Sequence, residues 1–177
     1  MVAVVVAGAL LAGAGDAAAR PRPSRSTQRF SANKNFGLGL MLGAPSGLSG
    51  KWFFGPDTAL DFGLGAIRYY RHRDGLHLHA DYLWHPVSLV SAPPFELPLY
   101  VGVGGRVLFF DDDNDDRVDN DGVAIGVRGP VGIAFDFNNV PLDVFFEIAL
   151  VLDFFVDYSD DVDLDVNGAI GLRYWFE

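Results

Sequence analysis

Residues 163–176, DLDVNGAIGLRYWF, alternate between two kinds of side chain. Every second residue from Leu164 is apolar or glycine: Leu, Val, Gly, Ile, Leu, Tyr and Phe. The residues between them are Asp, Asp, Asn, Ala, Gly, Arg and Trp. Successive side chains of an extended strand point to opposite faces, so this period of two predicts a strand with one apolar and one polar face.

The same alternation recurs along the chain, in about eight segments overall, with no helical stretch between them. The polar face carries charges in nearly every segment, whereas the apolar face is almost free of them. A strand that crosses a bilayer around a polar interior needs this pattern over roughly 10 residues. The sequence therefore predicts an all-β fold, an eight-stranded antiparallel up-and-down transmembrane β-barrel, whose even strand number lets the sheet close on itself.

The first 34 residues do not share this pattern. Residues 2–15 are an apolar run too short to span a bilayer as a helix, and an Ala17-Ala18-Ala19 cleavage motif follows, so residues 1–19 are predicted to be a signal peptide. Residues 20–34 are rich in Pro, Ser and Arg and are predicted to be a disordered basic segment. Residues 35–177 form the predicted barrel, which makes one domain.

Charge and cysteine content narrow the possible partners and locations. From Asn35 onward the chain has eight basic and 22 acidic residues, which argues against nucleic-acid binding because phosphate requires a basic surface. The chain has no cysteine, hence no disulfide, thiolate metal site or lipidated N-terminal Cys. Export without a lipid anchor or spanning helix, together with the strand pattern, predicts the outer membrane of a Gram-negative-type cell.

The inward parity predicts an ionic cluster inside the barrel. We expect these charges to pair and to hold the wall closed, because an unpaired buried charge is costly and side chains fill so narrow a barrel. Rearranged pairs that open a narrow ion path are the alternative. The predicted cluster consists of Lys51, Asp61, Asp81, Arg106, Arg128, Asp143, Glu147 and Arg173, with Asp153 as a further acid.

Two motifs suggest metal ions, each with a simpler interpretation. His77 and His79 lie two residues apart on one strand face, as zinc ligands can, and Asp81 or, alternatively, His85 could add a third ligand. Hydrogen-bonding histidines in a polar interior are the simpler interpretation. The outer loop 111–122 carries seven acids that could bind Ca²⁺ weakly or bridge to lipopolysaccharide, although a solvated, self-repelling loop is the default. These acids are Asp111, Asp112, Asp113, Asp115, Asp116, Asp119 and Asp121.

Aromatic residues and turn signals suggest how the barrel is oriented. Trp52, Trp84 and Trp175 lie at the ends of even-numbered strands, so all three are predicted on one rim, as part of an aromatic girdle at the membrane interface. Residues 86–96 contain three prolines and are predicted to be a long connection at the same end.

Two internal segments and the last strand resemble a known family. The chain resembles small eight-stranded outer-membrane barrels of the OmpA transmembrane domain and OmpX type. It is more closely similar to an uncharacterised family of OmpA-like barrels in residues 75–85, GLHLHADYLWH, and 141–149, PLDVFFEIA. Its final strand, GLRYWF at 171–176, resembles the signal that the outer-membrane assembly machinery recognises, although Glu177 follows the Phe.

These features favour a non-enzymatic, monomeric barrel that requires no cofactor. No nucleophile elbow, phosphate loop, metalloprotease helix or His-x-Ser pair occurs in the sequence. The first functional hypothesis is a structural or surface-interaction role, in which the acidic outer loops meet lipopolysaccharide or other partners. A narrow ion or small-solute channel is the second. A lipocalin-like soluble carrier is the third, and it requires the apolar parity to face inward.

Overall fold

The computed structural model describes residues 25–69, 73–110, 122–155 and 162–176. It contains nine strands in these ranges: β1 (Arg25–Gln28), β2 (Phe36–Gly43), β3 (Ser46–Phe53), β4 (Thr58–Tyr69), β5 (Arg73–Ser91), β6 (Phe95–Phe110), β7 (Gly122–Phe137), β8 (Leu142–Phe155) and β9 (Val162–Phe176). Within the same ranges, no helix is long and apolar enough to cross a membrane. The predicted signal peptide and the seven acids of the outer loop lie outside the described residues.

Strands β2–β9 form a closed antiparallel barrel. Each strand pairs with the next one along the chain, and β9 returns to pair with β2 from Phe36↔Phe176 to Gly43↔Ala169. Closure gives every barrel strand a partner on both sides, which removes the exposed edges of an open sheet. The predicted eight-stranded up-and-down topology is confirmed.

The two ends of the barrel differ. We call the end where β3, β5 and β7 finish the turn end, because the short turns 54–57, 92–94 and 138–141 lie there. The chain also enters and leaves the barrel at this end, where Phe36 pairs with both Trp52 and Phe176. Strands β4, β6 and β8 finish at the opposite end, which we call the far end.

Exposure alternates along the strands as the period of two predicts. In β7, Ile125 and Val127 are each 52% exposed, whereas Arg128, the residue after Val127, points inward and is 2% exposed. Leu78 and Ile148 are likewise exposed, at 47% and 56%. Aliphatic side chains therefore cover the outside of the barrel and charged side chains its inside. This arrangement is the opposite of what the lipocalin-like hypothesis requires.

The connection predicted at residues 86–96 is wrong. Strand β5 continues to Ser91 and β6 begins at Phe95, so only residues 92–94 form the turn. The hairpin tolerates Pro86 because the register shifts between Trp84 and Val87, where a missing N–H breaks no regular ladder bond. Pro93 and Pro94 lie in the turn itself.

Two further predictions differ from the structure at the turn end. Trp52 and Trp84 face outward, but Trp175 faces inward and is 3% exposed, so it is an interior residue and no girdle member. The predicted disorder of residues 20–34 does not extend over 25–34: β1 pairs with the end of β5, and Phe30 is 3% exposed. The extension of β5 beyond β4 leaves backbone groups that β1 can pair with, which the composition of the segment does not reveal.

Candidate functional site: the charged lumen

The inward side chains form an ionic network in the middle of the barrel. All eight residues of the predicted cluster are buried, as is Asp153. Ionised groups removed from water are stable only if they are paired and hydrogen-bonded. Three arginines provide this pairing, and each joins acids from two other strands.

Arg173 on β9 joins two carboxylates from different sides of the lumen. Its Nε donates to Asp143 Oδ1 on the neighbouring β8 at 3.2 Å. Its Nη1 donates to Asp61 Oδ1 at 2.5 Å. Asp61 is on β4, which lies three strands from β9 on the side away from β8. The guanidinium carbon also lies 4.0 Å from the centroid of the Phe145 ring. Arg173 is therefore a cross-brace of the barrel as well as a counter-charge.

Arg128 on β7 makes a second cross-brace. Its Nε donates to Asp81 Oδ2 on β5 at 3.0 Å, and its Nη2 donates to Glu147 Oε1 on β8 at 2.8 Å. Tyr100 on β6 donates its hydroxyl to Glu147 Oε2 at 3.2 Å. Both oxygens of Glu147 are thus occupied, and four strands meet around one guanidinium.

Arg106 on β6 makes the third, towards the far end. Its Nε donates to Asp153 Oδ1 at 2.8 Å, and its Nη1 donates to Asn167 Oδ1 at 2.6 Å. Its Nη2 also pairs with Asp165 at 3.0 Å. Asn167 in turn donates to Asp165 at 2.8 Å, so two of the arginine's three partners are also joined to each other.

Lys51 departs from the predicted pairing. It is buried as expected, but its Nζ lies 3.2 Å from His85 Nε2 and 4.2 Å from the centroid of the Tyr100 ring. Asp61 is its direct cross-strand neighbour in the register, yet that carboxylate bonds to Arg173. A guanidinium can hydrogen-bond to two carboxylates at once, which favours Arg173 over the compact ammonium of Lys51 as the partner of Asp61.

The structure does not bring the candidate metal ligands together. His77 Nε2 and His79 Nδ1 hydrogen-bond to each other at 3.2 Å, and Asp81 bonds to Arg128. Among the described residues, no group of three or more His, Cys, Asp or Glu side chains is arranged to hold a metal ion. The calcium hypothesis concerns the outer loop, which lies outside the described residues.

Inward glycines make room for these long side chains. A Cβ added at Gly63 would meet the His79 ring, and one added at Gly132 would meet the ring and hydroxyl of Tyr100. Interiors are packed tightly enough that even one added carbon is felt. Gly63 and Gly132 on the inward face therefore leave the space that the neighbouring His79 and Tyr100 side chains occupy.

An aromatic cluster lies inside the barrel near the turn end. The Phe53 ring lies 5.6 Å from Trp175 and 4.9 Å from His85, and His85 lies 5.5 Å from Tyr100, measured between ring centroids. Phe30 joins the same cluster from outside the barrel strands. Parity indicates the inward direction of Trp175, His85 and Tyr100, but Phe30 lies in a segment without periodicity, so no pattern in the sequence points to it.

Comparison with known proteins identifies the fold. No protein-family model and no curated protein sequence matches the chain. The chain is similar to the crystal structure of the N-terminal β-barrel domain of Pseudomonas aeruginosa OprF, with 15% sequence identity and a TM-score of 0.58. The match covers 89% of this chain and 100% of that domain. At this identity the likeness concerns the fold alone, and with the closed eight-stranded sheet it shows that the chain has the eight-stranded β-barrel fold of that domain.

Proposed function

We propose that the chain is a monomeric, non-enzymatic outer-membrane barrel with a structural or surface-interaction role. The observation that carries the proposal is the segregation of the two faces of the wall. Large apolar side chains on all eight barrel strands are between 37% and 68% exposed, while the ionic groups are enclosed. Soluble monomers rarely expose apolar patches above a few hundred Å², so a surface that is apolar all round requires a lipid environment.

Tryptophan quenching by lipid tests the membrane placement. Trp52 and Trp84 are each 49% exposed on the outer surface, whereas Trp175 is enclosed, so the chain contains its own control. Variants that retain one tryptophan each are folded into vesicles whose acyl chains carry bromine near the headgroups. We expect strong quenching of the first two and little quenching of Trp175. Equal quenching of all three, or a preference for Trp175, would contradict the proposal.

A cysteine scan provides a second test, since the chain has no cysteine of its own. Leu78→Cys and Ile148→Cys are expected to react with probes dissolved in the acyl chains. Ser49→Cys, which is inward and 1% exposed, is expected to be protected from them. The reverse labelling pattern would contradict the proposal, because it would show that the charged face of the wall contacts the lipid and the apolar face does not.

The surface role rests on charge. The seven aspartates of the outer loop can bind lipopolysaccharide through divalent cations, because carboxylate oxygens are the ligands that Ca²⁺ prefers. Binding of the refolded barrel to lipopolysaccharide-containing vesicles is compared with and without Ca²⁺ and with all seven aspartates changed to asparagine. We expect the Ca²⁺-dependent part of the binding to be lost in the variant. Equal binding by both proteins would remove the loop from the proposal.

A narrow ion or small-solute conduit is the second candidate, and one observation favours it. Several enclosed polar atoms have no hydrogen-bond partner in the described chain, among them Ser49 Oγ, Asp81 Oδ1 and Arg128 Nη1. Buried polar atoms of this kind require water, so the lumen has polar sites that water can occupy. Steady single-channel currents in planar bilayers that are lost in Arg128→Glu would favour the conduit over the closed structural barrel.

A further inference from the structure

Residues 25–35 cross the turn end of the barrel instead of leaving it. Strand β1 pairs with the extended end of β5, from Arg25↔Ser91 to Gln28↔Ser88. Ala32 N then donates to Pro56 O, in the turn between β3 and β4, at 2.7 Å. The segment enters β2 immediately afterwards. It therefore runs from one side of the mouth towards another before the barrel begins.

Phe30 fills the opening below this segment. Its ring lies 5.8 Å from Phe53 and 5.3 Å from His85, centroid to centroid, and it is 3% exposed. Phe53 stacks in turn on Trp175, so the ring extends the interior aromatic cluster outward by one layer. Phe30 is thus an apolar side chain of a polar, basic segment whose ring is buried inside the turn end of the barrel.

A lysine fastens the segment to the other side of the mouth. Lys34 Nζ pairs with the Asp136 carboxylate near the end of β7 and donates to Phe137 O at 2.8 Å. Both side chains of the pair are largely enclosed, at 15% and 13% exposure. By contrast, Arg29 makes only a 3.5 Å pair with Asp57, and its side chain is 84% exposed. Phe30 and Lys34 therefore supply the enclosed side-chain contacts that hold the segment across the opening, in addition to its backbone hydrogen bonds.

We propose that residues 25–35 are a plug that closes the turn end of the lumen, and that the wall of the barrel stands without it. The plug keeps water and small solutes away from Trp175, Tyr100 and Lys51. The closure does not depend on the proposed function. The barrel wall has its own complete set of strand pairings, whereas β1 contributes pairing to only one end of β5.

Acrylamide quenching of Trp175 tests the plug. Trp52 and Trp84 are changed to phenylalanine so that Trp175 is the reporter, and the full chain is refolded in detergent. Phe30→Ala and Phe30→Ala with Lys34→Ala are compared with the parent and with Arg29→Ala as the matched control. We expect a several-fold rise in the quenching constant, with a red shift of the emission, in the double variant and a smaller rise in the single one. The control is expected to behave as the parent does.

Two results would overturn the proposal. Unchanged quenching of Trp175 in folded Phe30→Ala would show that the wall itself closes this end. Loss of the folded barrel in that single variant, seen as loss of its heat-dependent mobility shift on an SDS gel, would show that the segment is part of the barrel core. Bromolipid quenching of Trp84 in the same variants, on a parent that retains this residue, reports membrane placement separately. A failed plug and a failed membrane assignment therefore give different results.

Discussion

Removal of the Arg128 guanidinium is the sharpest test of the lumen network. Arg128→Met retains a long side chain in the same space but deletes the charge that joins Asp81 and Glu147. Arg128 is 2% exposed, and Asp81 is fully enclosed. The substitution therefore leaves two carboxylates inside the wall with their shared counter-charge removed.

The size of the effect follows from burial. Removing one partner of a buried ion pair costs about 3–5 kcal/mol, because the other charge stays enclosed without compensation. Glu147 keeps the hydrogen bond from Tyr100, which limits its share of the loss. Asp81 has no such substitute among the described residues, where its Oδ1 already lacks a partner. We expect Arg128→Met to lower the free energy of unfolding by about 3–5 kcal/mol.

Urea unfolding of the barrel from lipid vesicles, followed by tryptophan fluorescence, measures this loss. Arg29→Met is the matched control, because its ion pair is at the surface and such pairs contribute at most about 1 kcal/mol. Arg128→Met combined with Asp81→Asn and Glu147→Gln deletes the whole charged group. This triple variant is expected to regain most of the stability, since replacing a complete buried pair is often close to neutral.

If Arg128→Met lowered the free energy of unfolding as little as Arg29→Met does, the reasoning would be refuted. It would mean that water in the lumen screens the two carboxylates well enough to dispense with the arginine. A triple variant as unstable as Arg128→Met would be equally damaging, because the cost would then come from lost packing and have nothing to do with uncompensated charge.

Three further substitutions test other parts of the structure. Leu78→Arg, on the outer surface, is expected to cost about 2–4 kcal/mol in vesicles, whereas Leu89→Arg, beyond the register shift of β5, is expected to cost about 0–1 kcal/mol; equal losses in urea unfolding would contradict the proposed membrane placement. Gly132→Val is expected to lower the yield of folded barrel on an SDS gel, since its side chain overlaps the buried tyrosine, while Gly129→Val on the same strand places its Cβ in ordinary contact, 3.9 Å from Leu150 O, and is expected to fold normally. Lys51→Met is expected to cost no more than about 2 kcal/mol, the value of an enclosed cation–π contact; a loss as large as that of Arg128→Met would indicate a carboxylate partner.

Much of the barrel could be predicted from local pattern. The side-chain period of a strand is two, so a one-residue slip would move every charge to the apolar outer face, and the parity of each strand is strongly specified. For this reason, the inward direction of residues such as Asp61, Arg106 and Arg173 could be assigned from position alone. The strand number followed from counting the alternating segments between turn signals.

The pairing of those charges could not be predicted in the same way. Asp61 is the register neighbour of Lys51 but bonds to Arg173, which is far away in sequence and reaches it across the lumen. The partner of a charge in a closed barrel depends on how far the strands are staggered around the wall and on which side chains meet at one height. Neither quantity is contained in the alternation of a single strand.

The order of residues alone determined which side of each strand is apolar, because pleating alternates the side chains whatever the strand pairs with. Only the closed structure decided which charges pair and that residues 25–35 fold back over the mouth. Those outcomes depend on contacts between segments distant in sequence. Phe30, for example, has no periodic neighbours to mark it and acquires its role only when Phe53 and His85 are brought beside it.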